Sequence, residues 1–251
     1  FRYIRMPVKF KLPHRVEDGY GLNTKTIIEA HKAHIKVIIT VDNGISCFQE
    51  ITLAKSLGID VIITDHHTIP EKIPPAFAIL HPKLSTETYP DKELTGSGVA
   101  YKLTCALARH ILTAQEAENF CKWSLDLAAL GTIADMGPLL GENRQLVHFG
   151  LQVLSKQKRP GLRKLLQLAG HNDLSCSADV VGFKIAPRLN AAGRMASPDL
   201  SVQLLLSANE HEASDLASAI EQLNNDRKIA AEKSFLLADK QIVSPQSSVN
   251  F

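Results

Sequence analysis

Two short β-branched runs, Val37-Ile38-Ile39-Thr40-Val41 and Val61-Ile62-Ile63-Thr64, flank a stretch with helical patterning, and each stops on an aspartate. Such runs read as buried strands, because branched side chains suit a pleated surface covered on both faces. Strand, helix, strand is the unit of a parallel sheet, in which all strands end at one rim. Asp42-Asn43-Gly44 follows the first run and Asp65-His66-His67 the second. The pattern therefore predicts two aspartates and two histidines at the carboxyl edge, where open α/β sheets bind ligands.

Residues 7–12 alternate polar and apolar and predict an edge strand ended by Pro13-His14-Arg15. Residues 17–23 read as a turn, and Asn23 or Thr24 caps a helix over 24–33. Ser46 with Gln49 has the form of a capping box for a helix with Phe48, Ile51 and Leu57 inward, ended by Gly58. Residues 76–80 predict another buried strand and 81–94 a surface loop. Thr95-Gly96-Ser97-Gly98 opens a helix to about residue 111. Its amides can cradle an anion, or its glycines can simply permit close packing. A helix over 115–133, with Leu125, Ala128, Ala129 and Ile133 inward, runs into Ala134-Asp135-Met136-Gly137-Pro138 and adds a third carboxylate. Further helices start at Gly141 and Pro160. Residues 182–194 combine two arginines, an asparagine and glycines, which suits phosphate binding or the fixing of a loop. Residues 210 to about 238 form one long amphipathic pattern through Ala213, Leu216, Ile220, Leu223 and Ala230, and 244–248 read as a turn-like tail. The expected fold class is α/β, a parallel sheet flanked by helices, then a helical segment and a long linking helix.

With 251 residues the chain can bury one large core or two modest ones, and a net charge of +2 neither demands nor excludes a nucleic-acid partner. Cys47, Cys105, Cys121 and Cys176 are far apart and form no C-x-x-C pair, which argues against a zinc ribbon and predicts reduced thiols in a cytoplasmic protein. The longest apolar runs are strand-sized, so no membrane partner is expected.

Asp42, His66 and Asp135 offer two carboxylates and an imidazole, a hard set with one borderline ligand that suits Mn²⁺ and tolerates Mg²⁺. His67, beside a ligand but directed elsewhere, can donate to a phosphate oxygen. A strand-end aspartate taken singly is more often a cap or turn former, and a histidine pair a surface feature. Only convergence of the three would separate the two readings.

VDNG at 41–44, DHH at 65–67, GTIADMGPL at 131–139 and PRLNAAGRM at 187–195 resemble, in order, motifs of the DHH phosphoesterase superfamily. With PHRVEDGYGLN at 13–23, the chain looks more like the single-stranded-DNA-specific exonucleases of that superfamily than like its oligoribonuclease-like phosphodiesterases or manganese pyrophosphatases. The resemblance implies 5′-to-3′ hydrolysis of single-stranded DNA in repair and recombination. It also implies two Mn²⁺ or Mg²⁺ ions, a five-stranded parallel α/β domain, single-stranded DNA and a single-strand-binding protein as partners, and a monomer. By position it makes Asp42 a bridging ligand, His66 and Asp135 metal ligands, Asp65 a support for the site and His67 the residue nearest the scissile phosphate. Arg15, Arg188 and Arg194 fall in family-like segments and are expected phosphate contacts, with salt-bridge or loop-bracing roles as the plain alternative. The implied division is a phosphoesterase domain over 1–209, a connecting helix over 210–240 and a tail over 241–251. The superfamily's first motif, an Asp-x-Asp-x-Asp-Gly-like run, and the smaller domain after the long helix have no counterpart in these residues. A fragment with little hydrolysis of its own is therefore expected; the non-enzymatic alternative is a degenerate nucleic-acid-binding homologue.

Overall fold

The computed structural model describes residues 1–13, 19 and 21–243, with side chains through 240. Arg15, residues 17, 18 and 20 of the predicted 17–23 turn and the predicted 244–248 tail lie outside the described residues. The chain divides into two compact units, one of residues 1–157 with 173–182 and the other of residues 158–172 with 183–251.

The first unit is built on a parallel sheet of β1 (Val37–Val41), β2 (Asp60–Thr64) and β3 (Ala78–Leu80), in that spatial order. Helix α1 (Thr24–Lys32) precedes it and α2 (Phe48–Ser56) links β1 to β2. Ile27, Ile51, Ala54, Ile59, Val61 and Ile63 form the core beneath the sheet. Each such branched side chain, fully buried, contributes roughly 1.5–3 kcal/mol. Val37 pairs with Asp60 and Val41 with Thr64, so β1 and β2 end level and both strand ends reach the same rim. Thr64 sews them together there, its Oγ1 donating to the Thr40 carbonyl at 2.7 Å. Beyond the sheet lie α3 (Gly96–Ile111), α4 (Ala114–Ala134) and α5 (Gly141–Leu154).

Several local expectations are borne out at the level of caps. Asn23 accepts from the Thr26 amide at 2.8 Å, and Gly58 follows α2 with φ +71°. Four expectations need correction. Residues 7–12 form no strand; Val8 and Phe10 are exposed, and alternation by itself supplies no ladder partner. Ser46 does not cap α2, because the chain turns one residue later, with the Cys47 amide on the Gly44 carbonyl, and Cys47 takes the N-cap position. The sheet has three strands among the described residues, not the five implied by the resemblance. The 81–94 segment is not wholly superficial, since His81, Leu84 and Leu94 are buried.

The second unit is helical, with α6 (Pro160–Leu168), α7 (Ala186–Met195), α8 (Asp199–Leu206) and α9 (Glu210–Val243). Residues 182–194, whose composition suits phosphate binding or the fixing of a loop, lie within a helical stretch, a π-helical turn at Val180–Ile185 leading directly into α7. Pro187 sits in the first turn of α7, where its missing N–H costs nothing. Helix α9 buries Ala213, Ala217, Ile220 and Asn224 at helical spacing, whereas Phe235, Leu236 and Leu237 further along are exposed.

Candidate metal centre

The rim is assembled from strand and helix ends of the first unit. After β1 the chain enters a left-handed turn, with Asp42 at φ +62° and its amide on the Thr64 carbonyl at 2.9 Å. Aspartate is among the few residues that tolerate this conformation, and here it leaves the carboxylate half exposed at the rim. After β2, Asp65 is 1 % exposed and is consumed by structure. It accepts from the amides of Ile45 (3.0 Å), His66 (2.8 Å) and His67 (3.2 Å), and from His67 Nδ1 (2.7 Å). Burial alone would raise its pKa, but these donors, the Ile45 amide foremost, outweigh it and hold the carboxyl below its usual range.

Asp65 therefore clamps the turn that aims the two histidines. His66 Nε2 lies 3.0 Å from Asp42 Oδ1 and 3.5 Å from Asp135 Oδ2. Asp135 reaches that point because it caps the C-terminus of α4, its amide on the Gly131 carbonyl at 2.9 Å, before Met136 turns left-handed at φ +57°. Asp42, with Asp135 adding to it, raises the His66 pKa against the lowering effect of burial. Burial raises that of Asp135, and the Asp42 charge adds to the rise while His66 opposes it. His66 Nε2 is nonetheless buried without an aligned hydrogen-bond partner. An imidazole nitrogen that touches two carboxylate oxygens but is satisfied by neither is the arrangement a divalent cation completes. The donor set fits manganese or magnesium better than zinc.

His67 brings a ring nitrogen within 4.8 Å of the Asp42 and His66 ligand atoms, and its side chain is about half exposed. Because Nδ1 is held by Asp65, Nε2 is the nitrogen left for a ligand. The structure thus brings together Asp42, Asp65, His66, His67 and Asp135. Arg188 and Arg194 stand on α7 in the other unit. Arg188 is buried, with Nε and Nη2 on the Glu221 carboxylate at 2.5 and 3.1 Å and Nη1 on the Lys184 carbonyl at 2.8 Å, which is a bracing set of contacts. Arg194 is exposed in the last turn of the helix.

Sequence reasoning passed over His81, which directly follows β3 and is 3 % exposed. Its Nε2 lies 2.9 Å from the His67 carbonyl, and its Nδ1 accepts from the Lys83 amide at 3.2 Å, so it braces the histidine turn from below. The strand-end rule that singled out Asp42 and Asp65 applies equally to it. A groove of about 960 Å³ over α4 and α5, lined by Arg109, Trp123 and Phe149 among others, contains none of the rim residues.

Residues 2–132 match the model of the DHH family, N-terminal domain. The chain is 44 % identical over 221 residues to the single-stranded-DNA-specific exonuclease RecJ of Bacillus subtilis, covering 88 % of this chain and 27 % of that protein. It is 41 % identical over 233 residues to RecJ of Escherichia coli, covering 88 % and 40 %. Among solved structures it resembles exonuclease RecJ bound to manganese, with TM-score 0.77, 36 % identity and coverage of 88 % and 55 %. It also resembles RecJ from Thermus thermophilus in complex with Mn²⁺, with TM-score 0.74, 34 % identity and coverage of 90 % and 32 %. The chain thus spans well under half the length of these curated relatives. The matched residues cover more than half of the chain and contain both strand-end motifs, so the chain belongs to the DHH family.

Proposed function

We propose that this chain carries one metal position of a two-metal phosphodiesterase centre, and that the protein is a RecJ-like 5′-to-3′ exonuclease of single-stranded DNA. The observation that carries this reading is the buried, unsatisfied His66 Nε2 between the Asp42 and Asp135 carboxylates. The RecJ relatives named above, and the manganese- and magnesium-bound RecJ structures, support it. Asp42, His66 and Asp135 hold the ion, and Asp42, half exposed, is the residue available to a second one. A divalent ion there supplies Lewis-acid polarisation of a phosphodiester oxygen and acidifies water. Asp65 accepts from His67 Nδ1–H, so the neutral ring offers the Nε2 lone pair, and the imidazolium form, with both ring nitrogens protonated, is the one that donates from Nε2 to a phosphate oxygen. Arg194 is the better candidate for a phosphate contact than Arg188, whose guanidinium is committed to Glu221. We read the protein as a cytoplasmic monomer that works in DNA repair beside a single-strand-binding protein. The four free thiols favour a reducing compartment, and no helix among the described residues is long and apolar enough to cross a membrane.

The test is a comparison of substrates with the complete gene product and Mn²⁺. Mononucleotide release from 5′-labelled single-stranded DNA, lost in His66→Ala, is expected; faster turnover of dinucleotides or pyrophosphate would assign the rim to another branch of the superfamily.

A further inference from the structure

The first turn of α3 lies between the two carboxylate-bearing elements of the rim. Its N-cap, Thr95, is buried, with Oγ1 3.0 Å from Thr132 Oγ1 on α4 and 3.3 Å from the Gly98 amide. Ser97 Oγ lies 3.4 Å from the Ala128 carbonyl, and a methyl group on Gly131 would come within 2.5 Å of Ser97 Cβ. A methyl on Gly137, just past Asp135, would overlap the Thr95 methyl. The start of α3 is thereby locked to the end of α4 that presents Asp135. On its other side, a methyl on Gly96 would overlap Asp42 Oδ1 and Cγ and approach Asp42 Cβ to 2.7 Å.

We infer that Gly96 is a positioning residue that sets the separation of Asp42 from Asp135, an inference that takes those two carboxylates as ligands of one ion. Rotating the Asp42 carboxylate away cannot relieve a side chain at position 96, because Asp42 Cβ is itself too close. Nor can the Asp42 backbone yield easily, since its amide is held by the Thr64 carbonyl at the last rung of the sheet. The strain therefore moves α3, and with it the end of α4, so the two carboxylates part. The glycine is required for room at the site, not for helix flexibility, which separates it from Gly98. A methyl at Gly98 meets its nearest neighbour, the Leu94 side chain, at 3.2 Å.

The experiment measures Mn²⁺ affinity by calorimetry and the midpoint of thermal unfolding for the wild-type chain, Gly96→Ala, Gly98→Ala, Asp42→Gly and the Asp42→Gly/Gly96→Ala double variant. Gly96→Ala is expected to weaken Mn²⁺ at least about tenfold, as losses of supporting residues around metals do, while Gly98→Ala stays within about twofold. In the unfolding measurements, Gly96→Ala lowers the midpoint when Asp42 is present and not when position 42 is glycine, because the clash has then been removed. Equal midpoint shifts in both backgrounds, or undiminished Mn²⁺ affinity in Gly96→Ala, overturn the inference. If the wild-type chain binds no Mn²⁺, the ligand reading has failed on its own account, and the unfolding cycle still decides whether Gly96 makes room for Asp42.

Discussion

The ends of β1 and β2 make an instructive pair. Each strand is β-branched and each is followed by aspartate, yet the two carboxylates live in opposite environments. Asp65 is sealed beneath the rim and takes three amides and an imidazole. Asp42 stands half exposed, and its 3.0 Å approach to His66 Nε2 leaves that nitrogen without an aligned partner. A buried carboxylate taken up by protein donors holds a turn in place; one that stands half exposed beside an unpartnered imidazole nitrogen is open to an ion. The same contrast separates the rim from Arg188, which resembles a phosphate-binding residue in sequence and is spent on Glu221 in the structure.

The contrast breaks most visibly by substitution. His66→Ala is expected to lower Mn²⁺ affinity at least about a hundredfold while leaving the urea midpoint nearly unchanged; a folded variant with intact affinity would show that the ion sits elsewhere. Asp65→Ala should do the reverse to the fold, costing about 3 kcal/mol in urea unfolding because buried donors lose their acceptor. A loss below about 1 kcal/mol would mean those donors find water. Arg188→Ala is expected to cost about 2 kcal/mol by leaving Glu221 half-buried and unpaired, with Arg188→Lys recovering only part, since a single ammonium cannot reproduce the fork. Equal stability of both variants with the parent would reopen a phosphate role for Arg188.

A smaller, graded effect comes from pH. His66 and Asp135 both have raised pKa values in the metal-free chain. Their contribution to metal-free stability is thus greatest at low pH and is lost as pH rises, through the carboxylate range for Asp135 and then above about 6.5 for His66. Metal needs both groups deprotonated, so Mn²⁺ affinity should move the other way, falling as pH drops through the raised His66 value, with protons released on binding. Calorimetry in buffers of different ionisation enthalpy measures that release, and affinity flat from about pH 8 to pH 6 would contradict it.

Much of the rim was legible because it rests on local rules. Continuous β-branched runs, a parallel crossover and the convergence of strand ends together predicted β1, β2 and the placing of Asp42, Asp65 and His66. Asp135 was legible through the Gly-Pro break behind it. What escaped depends on contacts distant in sequence. The strand-end rule reaches His81, but its hold on the His67 carbonyl joins residues 14 apart and was not legible. Gly96, noticed as a glycine that either joins an anion cradle or permits close packing, needed the position of a side chain 54 residues earlier to say what it packs against. The helix within residues 182–194 was not legible, because glycine and asparagine are weak helix formers, whereas Ala186, Ala191 and Ala192 bury a helical face that outweighs those preferences.

Everything about the rim turns on whether one cation joins Asp42, His66 and Asp135. Crystals grown with Mn²⁺ and measured at the manganese absorption edge test this directly. An anomalous peak is expected at coordination distance, about 2.1 Å, from His66 Nε2 and from one oxygen of each carboxylate. A peak bound elsewhere, with His66 Nε2 turned away from it, would mean that the three side chains share no ion.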